Sequence, residues 1–326
     1  MSPLIDTPIT ISATDAGKRL DAYLAERITG WSRSRLQRLI DNSDILVNGK
    51  KAKSSYKLRE GDEIDVDLTE QPTAQFEPER IPLDIVFEDE YLAVINKPAG
   101  MVVHPGSGIN SGTLANALAY HFGADLSELG GVDEQSKIQN LKSRIGIVHR
   151  LDKDTSGLIV VAKDEQTHDS LSEQFRDRKV FKSYVALVHG SPRENSGTIE
   201  RPIARDRWHR TKMIVAANGR NALSLWKVRE RFEKFTLVDV EIKTGRTHQI
   251  RVHLASINHP VVGDATYNEG RDNTIADHEI KRAVESLNRF FLHAERLAFA
   301  HPETGDQLEF AQRLPSELES LLPKLQ

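Results

Sequence analysis

A carboxylate and an arginine lie close together in a polar turn that is bounded on both sides by apolar runs. Ile147-Val148 precedes His149-Arg150-Leu151-Asp152, and the apolar run 158–162 follows it. The two apolar runs predict buried strands, which would hold the polar turn in a fixed place as an active site requires. Asp152 is therefore a candidate catalytic residue. A structural ion pair between the arginine and the aspartate would give the same pattern, and the stretch alone leaves both interpretations open.

Phosphoryl transfer is the first chemistry that this turn brings to mind, because protein kinases carry a catalytic loop with similar residues. The kinase loop places aspartate directly after His-Arg, whereas here Leu151 stands between Arg150 and Asp152. The chain also lacks a glycine-rich phosphate loop and an Asp-Phe-Gly motif. The sequence therefore argues against a kinase.

Two further stretches contain side chains that suit a substrate pocket. Tyr184 lies in the apolar run 181–187, where its ring either simply packs or lines a pocket, stacking on a flipped base or handling a proton. The stretch 243–254 combines several cations with His248, Arg251 and His253, which predicts an anionic ligand or a buried carboxylate partner. The spacing of the two histidines does not align them on one helix face, so we expect no metal site.

Composition limits the classes of protein that the chain can belong to. The 326 residues are 38% hydrophobic and 28% charged, which predicts a soluble globular protein of two domains. No apolar run approaches the roughly 20 residues that cross a bilayer, and the first residues do not form a secretion signal. The chain has no cysteine, which excludes disulfides and thiolate catalysis and fits a reducing compartment. We expect a cytoplasmic protein without a membrane partner.

Charge is distributed unevenly along the chain, although the net charge is only −4. Residues 31–60 contain eight Lys or Arg and three acids, whereas residues 61–90 contain eleven acids and one Arg. A second basic cluster, residues 201–220, has six Lys or Arg and a single acid, Asp206. Each basic cluster alone is more often a solvated face, but the pair could follow a phosphate backbone.

Residues 15–70 predict a small α/β module that precedes a linker at 71–80. Leu20, Tyr23, Leu24 and Ile28 have helical spacing. A second helix, capped by Ser32, would bury Leu36, Leu39 and Ile40 and turn Arg35 and Arg38 towards solvent or a ligand. A strand at 45–48, a turn at 48–50 and the alternation of Ile64, Val66 and Leu68 follow. The motifs Lys18-Arg19-Leu20-Asp21, Ser32-Arg33-Ser34-Arg35-Leu36 and Val47-Asn48-Gly49-Lys50 resemble an S4 RNA-binding domain.

The larger domain, residues 81–326, predicts an α+β fold without a regular βαβ repeat. Strands are expected at 85–87, 92–95, 184–188 and 236–240, separated by helical segments and polar turns. The segments 123–143 and 268–288 have few apolar residues and predict loops or exposed helices.

The larger domain resembles the RluA-type pseudouridine synthases, most of all the RluD branch, in which an S4 domain often comes first. The resemblance runs from about Ile81 to the C-terminus. It depends on the stretch 95–100 (Ile-Asn-Lys-Pro-Ala-Gly), the stretch 103–106 (Val-His-Pro-Gly), the motifs around Asp152, Tyr184 and Arg251, and the stretch 259–264 (His-Pro-Val-Val-Gly-Asp). It implies a mixed, mainly antiparallel sheet flanked by helices and loops, with the active-site cleft across its middle.

The resemblance also implies a role for each site residue. Asp152 would be the essential carboxylate, acting either as a nucleophile at C1′ or as a base that starts elimination at the ribose. Tyr184 would stack on the base and take the C5 proton, and Arg251 would pair with Asp152. Arg150 would enter the RNA stack as the target nucleotide leaves it. Further RNA contacts are expected from Arg33, Arg35, Arg38, Lys50 and Lys51 of the S4-like module.

The function that follows is the isomerisation of specific uridines to pseudouridine in large-subunit (23S) ribosomal RNA, by a monomer that needs no cofactor. The expected partner is the RNA of the large subunit or of its assembly intermediate. Two alternatives stay open on the sequence. One is the same reaction at other ribosomal sites or in transfer RNA, because the segment 125–142 and the stretch 205–210 differ from the family pattern where RNA contacts would select the target. The other is a noncatalytic RNA-binding protein of ribosome assembly, against which the intact Asp152, Tyr184 and Arg251 argue.

Overall fold

The chain separates into two units, residues 1–73 and 74–326, each with its own hydrophobic core. The structure, a computed structural model, describes residues 9–12, 14–28, 33–42, 44–66, 77–104, 109, 111–128, 146–209 and 211–326. Among the described residues, no helix is long and apolar enough to cross a membrane.

The N-terminal unit packs two helices on a small antiparallel sheet. The helices are α1 (Leu20–Arg27) and α2 (Arg33–Asn42), and the strands are β1 (Ile9–Thr10), β2 (Ile45–Val47), β3 (Lys50–Lys51) and β4 (Glu63–Val66), in the order β1-β4-β2-β3. The core contains both predicted helical stripes, including Leu20, Leu24, Leu36 and Ile40. Asn48 and Gly49 have positive φ angles of 52° and 68°, as a tight hairpin turn requires. The predicted cap Ser32 lies outside the described residues.

Ten strands form one sheet in the described part of the C-terminal unit. They are β5 (Ile85–Glu88), β6 (Leu92–Lys97), β7 (Gly146–Ile147), β8 (Ser156–Ala162), β9 (Phe181–His189), β10 (Ser196–Glu200), β13 (Leu223–Arg231), β14 (Phe235–Ile242), β15 (Leu292–Ala300) and β16 (Gln307–Ala311). The main order is β10-β13-β14-β9-β15-β8-β6-β5, with β7 on β8 and β16 on β15. The pair β8–β15 is parallel and the other pairs are antiparallel. The predicted α+β fold, with a mixed and mainly antiparallel sheet, is confirmed.

Helices and one small hairpin complete this unit. They are α3 (Leu114–Glu128), α4 (Glu165–Arg176), α5 (Gln249–Ser256), α6 (His278–Leu287) and α7 (Ser316–Glu319), with the hairpin strands β11 (Ile203–Arg205) and β12 (Met213–Val215) and short 3-10 turns at Arg271–Thr274 and Leu322–Leu325. The segment 268–288 contains a 3-10 turn and a mostly exposed helix, as predicted. The segment 123–143 is described only as far as Glu128, where α3 ends. The strand expected at 147–148 is correct only in part, because β7 ends at Ile147.

Strand alternation decides which face of the sheet carries the site. In β9, Tyr184, Ala186 and Val188 join one core cluster, which includes Ile250 and Leu254 of α5, while Val185 and Leu187 join another. The Asp152 turn leads into β8 through Gly157, whose φ is +111° and whose Cβ would lie 2.2 Å from the Ala294 carbonyl oxygen of the parallel neighbour. Glycine is therefore required at the point where the turn enters the sheet.

Candidate active site

The three stretches that the sequence singles out meet at one cavity of about 510 Å³. Its lining contains Arg150 and Asp152 from the turn before β8, Tyr184 from β9, and Arg251 from α5. A second cavity of about 580 Å³ shares Arg150, Asp152 and Arg251 with the first. Asp152 thus lies where two open spaces adjoin, and its side chain is 18% exposed.

Arg251 is held mainly by a carboxylate that the sequence did not single out as a site residue. Its Nε and Nη2 donate to the two carboxylate oxygens of Asp264 at 2.6 and 2.8 Å, and its Nη1 donates to Asp152 Oδ2 at 3.2 Å. The guanidinium carbon also lies 4.3 and 4.9 Å from the ring centroids of Phe290 and Tyr267. A guanidinium fixed on so many sides directs one N–H at Asp152 in a set geometry.

His248, directly before α5, and Tyr267, in the loop after α5, support this arrangement. His248 has a left-handed φ of 55°, and its Nδ1 lies 2.8 Å from the Tyr267 hydroxyl. That hydroxyl also accepts a hydrogen bond from the Met213 N–H at 2.8 Å. The hydroxyl keeps its own proton to donate, and it donates to His248 Nδ1 in the tautomer of His248 that carries its proton on Nε2.

Tyr184 is 6% exposed, and its ring packs in the core cluster on the site face of the sheet. Burial, together with the negative charge of Asp152, raises the pKa of the phenol above its ordinary value. The phenol is therefore un-ionised in the free protein at neutral pH. A hydroxyl in this state can accept a proton only as it passes its own proton on, or after the substrate has changed the surroundings.

A fully buried lysine anchors the Asp152 turn through hydrogen bonds to backbone carbonyl groups. Lys97, at the end of β6, donates from Nζ to the carbonyl oxygens of Pro98, Met101 and Lys153 at 2.7, 2.9 and 3.1 Å. Burial lowers its pKa to about 7. Because Lys153 follows Asp152 directly, this lysine ties the catalytic turn to the loop after β6. Lys97 lies in the stretch 95–100, for which the family resemblance predicted no role.

His149, the first polar residue of the turn, is structural. Its ring stacks on Phe175 at a centroid distance of 4.6 Å, and its Nε2 accepts the Val160 N–H at 3.0 Å. Desolvation lowers the pKa of His149 to about 3, so the ring is neutral and carries its proton on Nδ1. The residue fixes the turn to β8.

The first cavity is strongly cationic. Among the described residues that line it, Asp152 is the one carboxylate, and the cations are Arg150, Arg176, Lys182, Lys243, Arg246 and Arg251. Burial, and secondarily the nearby charge of Lys243, lowers the pKa of Lys182 to about 8. Arg150 is exposed and lines both cavities. Such a lining suits a polyanion such as a nucleic-acid backbone.

The described basic side chains of the N-terminal unit that were expected to contact RNA are exposed. Lys50 and Lys51 are exposed on β3. The Arg33 side chain is 49% exposed, although its Nη2 lies 3.0 Å from a carboxylate oxygen of Asp21. Asp21 is fully buried and also binds Arg19 and Gln37, and these contacts hold its pKa well below the usual range. Arg35 and Arg38 lie on α2, but their side chains are outside the described part of the structure.

Comparison with known proteins gives consistent matches for both units. A family model described as RNA pseudouridylate synthase matches residues 91–256, and an S4 domain model matches residues 18–64. An uncharacterized RNA pseudouridine synthase of Bacillus subtilis, YlyB, is 41% identical over 97% of both chains. The ribosomal large subunit pseudouridine synthase D of Zymomonas mobilis is 40% identical over 97% of this chain and 96% of its own. The structure of human RNA Pseudouridylate Synthase Domain Containing 1 matches with a TM-score of 0.56 and 26% identity, covering 74% of this chain and 89% of that one.

Proposed function

Since the chain belongs to the RNA pseudouridylate synthase family, as an RluA-type isomerase with an S4 domain that acts on RNA, we propose that it converts specific uridines of large-subunit (23S) ribosomal RNA to pseudouridine. Relatives named ribosomal large subunit pseudouridine synthase D support this target, with 42% identity in Nitrosomonas europaea and 39% in Pasteurella multocida. The cationic lining of the cavity supports an RNA substrate in general.

The reaction exchanges one bond for another without net oxidation. The N1–C1′ bond of uridine breaks, the uracil turns within the pocket, and a C5–C1′ bond forms while C5 loses a proton and N1 gains one. Asp152 is the group that starts this exchange, either as a nucleophile at C1′ or as a base at the ribose. Among the described residues, Arg251 gives the one side-chain hydrogen bond to the Asp152 carboxylate, at Oδ2, which leaves Oδ1 for the substrate. No cofactor or metal is needed for these steps.

Tyr184 and Arg251 complete the catalytic set that we propose. The ring of Tyr184 stacks on the uracil, and in the last step its hydroxyl receives the C5 proton as it passes its own proton on towards N1. Arg251 holds the Asp152 carboxylate in the orientation that attack requires, supported by its two bonds to Asp264. Arg150, exposed at both cavities, fills the gap in the RNA stack when the uridine is extruded, which offsets part of the few kcal/mol that extrusion costs.

We assign a role to each part of the chain. We propose that residues 15–70 are an RNA-binding S4 domain that contacts phosphates through Arg33, Arg35, Arg38, Lys50 and Lys51, that residues 71–80 are a linker, and that residues 81–326 are the catalytic domain. We further propose a monomer that works in the cytoplasm, where a chain without cysteine fits the reducing conditions.

The observation that carries the proposal is the Asp152 carboxylate, bonded to a fixed arginine and facing a cationic cavity beside a buried tyrosine. The test is pseudouridine mapping, by carbodiimide labelling and primer extension, of ribosomal and transfer RNA from cells whose only copy is wild type, Asp152→Asn or Asp169→Asn. The last variant is a control that removes an acid of α4 whose side chain is 43% exposed and which lines neither cavity. We expect specific large-subunit sites to disappear with Asp152→Asn alone.

Two other results would change the proposal. If no pseudouridine depends on Asp152, the enzymatic function is wrong for this chain. If the sites that disappear lie in transfer RNA alone, the reaction is right and the ribosomal target is wrong.

A further inference from the structure

The hairpin of β11 and β12 presents a tryptophan to solvent. Trp208 is 89% exposed, whereas the other exposed large hydrophobic side chains reach at most 38% among the described residues. Tryptophan is usually well buried, but one exposed apolar side chain is not by itself a binding site. The surroundings of Trp208 therefore decide what it does.

The turn that carries Trp208 has a fixed shape. The Asp206 carboxylate accepts the backbone N–H groups of Trp208 and His209 at 2.7 and 3.2 Å. The Asp206 N–H donates to the Lys212 carbonyl at 2.9 Å, and the Lys212 N–H donates to the His209 carbonyl at 2.8 Å. The indole is thus held out on a formed turn, and little entropy is lost when it binds a flat partner.

The same hairpin is joined to the active site. The Met213 N–H bonds to the Tyr267 hydroxyl, whose ring lies against Arg251, and Thr211 lines the cavity that contains Asp152. At the other end of the hairpin, Ile203 packs in one cluster with Val252 of α5. Trp208 therefore lies three positions along the chain from Thr211, which lines the second cavity. The strands of the hairpin are held by Tyr267 and by α5.

The charge around the indole suits RNA better than an apolar partner. Arg207 and His209 flank Trp208 and are exposed, and the Lys212 ammonium lies 5.5 Å from the Tyr267 ring centroid. Asp206, the one acid in the stretch 201–220, already bonds two backbone N–H groups, which hold its pKa below the usual range. An exposed aromatic ring among cations is the combination that binds unpaired RNA, by stacking on bases and contacting phosphates.

We propose that Trp208 stacks on an unpaired base of the substrate RNA close to the target uridine, while Arg207 and Lys212 contact neighbouring phosphates. A uridine that leaves its helix or loop exposes the faces of the bases beside it, and the indole covers one of them. The inference rests on the proposed function, because the RNA concerned is the one that delivers its uridine to Asp152. It assigns to the hairpin a part in choosing the target.

The test compares Trp208→Ala, Trp208→Phe and Tyr120→Ala in the full-length protein, with unmodified, protein-free 23S ribosomal RNA transcript as substrate. Tyr120 is an exposed aromatic on α3 that lines neither cavity, so its variant is a matched control. Loss of one base–aromatic stack predicts a fall in kcat/KM and in RNA affinity of about 5- to 100-fold for Trp208→Ala, and of about threefold or less for Trp208→Phe, which keeps a ring. Tyr120→Ala should behave as wild type.

A second measurement does not depend on catalysis. Binding of a single-stranded oligouridylate should quench the tryptophan fluorescence of the wild type, and Trp208→Phe, which leaves two of the three tryptophans, should lose most of that quenching. If the wild type forms no pseudouridine either in free RNA or in assembly intermediates of the large subunit, the proposed function fails, while this quenching still tests the stack. Unchanged kcat/KM, affinity and quenching in the Trp208 variants would overturn the inference. A defect seen with assembled ribosomal particles but absent with free RNA would also overturn it, since the partner would then be a protein.

Discussion

At the scale of single residues, the site depends on one arginine shared unequally between two carboxylates. Arg251 gives two N–H groups to Asp264 at 2.6 and 2.8 Å and one to Asp152 at 3.2 Å. The paired contact with Asp264 fixes the plane of the guanidinium, because two parallel hydrogen bonds allow little rotation. The Asp152 carboxylate is therefore oriented through Oδ2, and Oδ1 stays available for the ribose of the proposed substrate.

Tyr184 offers a way to separate stacking from proton transfer. Tyr184→Phe keeps the ring and removes the hydroxyl, so we expect kcat for pseudouridine formation to fall about 100-fold or more while KM changes little. Tyr184→Leu, which also removes the ring, should weaken RNA binding as well. Release of tritium from RNA labelled at C5 of uridine measures the step directly. Full activity of Tyr184→Phe would mean that the hydroxyl takes no proton.

The sequence predicts the members of the site that lie in recognisable motifs and misses those that act through distant contacts. Asp152, Tyr184 and Arg251 were proposed together, and the structure places all three at one cavity. Asp264 entered only as the last residue of the stretch 259–264, although it is the principal partner of Arg251. Its role depends on the fold of the loop after α5, which the spacing of residues along the chain does not reveal. The one acid of that stretch was the available signal.

At the scale of elements, two connections hold the Asp152 turn, namely the pairing of β8 with β15 and the hydrogen bonds of Lys97. The pairing of β8 with β15 is the one parallel pair among the described strands of the sheet, and it requires glycine at position 157 because of the close approach of Ala294. Apolar runs predicted β5, β6, β8, β9 and β14, since burial of a strand leaves a local pattern. Strand order depends on contacts between residues far apart in the chain, and the parallel pair joins Ser156 to His293, 137 positions away, so no local pattern could predict them.

Lys97 is the second connection, and its removal should loosen the turn. Lys97→Met keeps a side chain of similar length but removes the lysine donor from the part-buried carbonyl oxygens of Pro98 and Met101, and it leaves the Lys153 carbonyl with the Gly100 N–H alone. Each unmatched buried group costs about 1–3 kcal/mol, so the free energy of unfolding and kcat should both fall. Chemical denaturation and the same tritium assay measure the two effects. If stability falls and kcat does not, the anchor serves the fold without positioning Asp152.

The same lysine predicts a pH dependence of stability. Its pKa is lowered from 10.5 to about 7 in the folded protein, so between these values the unfolded chain binds a proton that the folded chain does not. The free energy of unfolding of the wild type should therefore rise between pH 7 and pH 10.5, by up to about 1.4 kcal/mol per pH unit relative to Lys97→Met. This gain should be lost as the pH falls through 7. Parallel slopes for the two proteins between pH 7.5 and 9.5 would show that Lys97 stays charged.

At the scale of the whole molecule, an RNA-binding unit is joined to a catalytic unit, and each has its own core. The core of the first consists of residues between Ile11 and Leu58 together with Ile64, and the clusters of the second begin at Leu92. Separate cores predict that the units fold independently.

Removal of residues 1–70 should therefore weaken RNA binding without unfolding the catalytic unit. The S4-like module would supply several phosphate contacts, each of which adds about 0.7 to 0.9 to the slope of log affinity against log salt. We expect the truncated protein to bind RNA more weakly and with a shallower slope, while it keeps a cooperative unfolding transition. A milder variant, Lys50→Ala with Lys51→Ala, changes two exposed side chains of β3 and should lower the slope by about 1.5 in the full chain. Filter binding at four salt concentrations measures both, and an unchanged slope in both variants would mean that the phosphate contacts come from the catalytic unit alone.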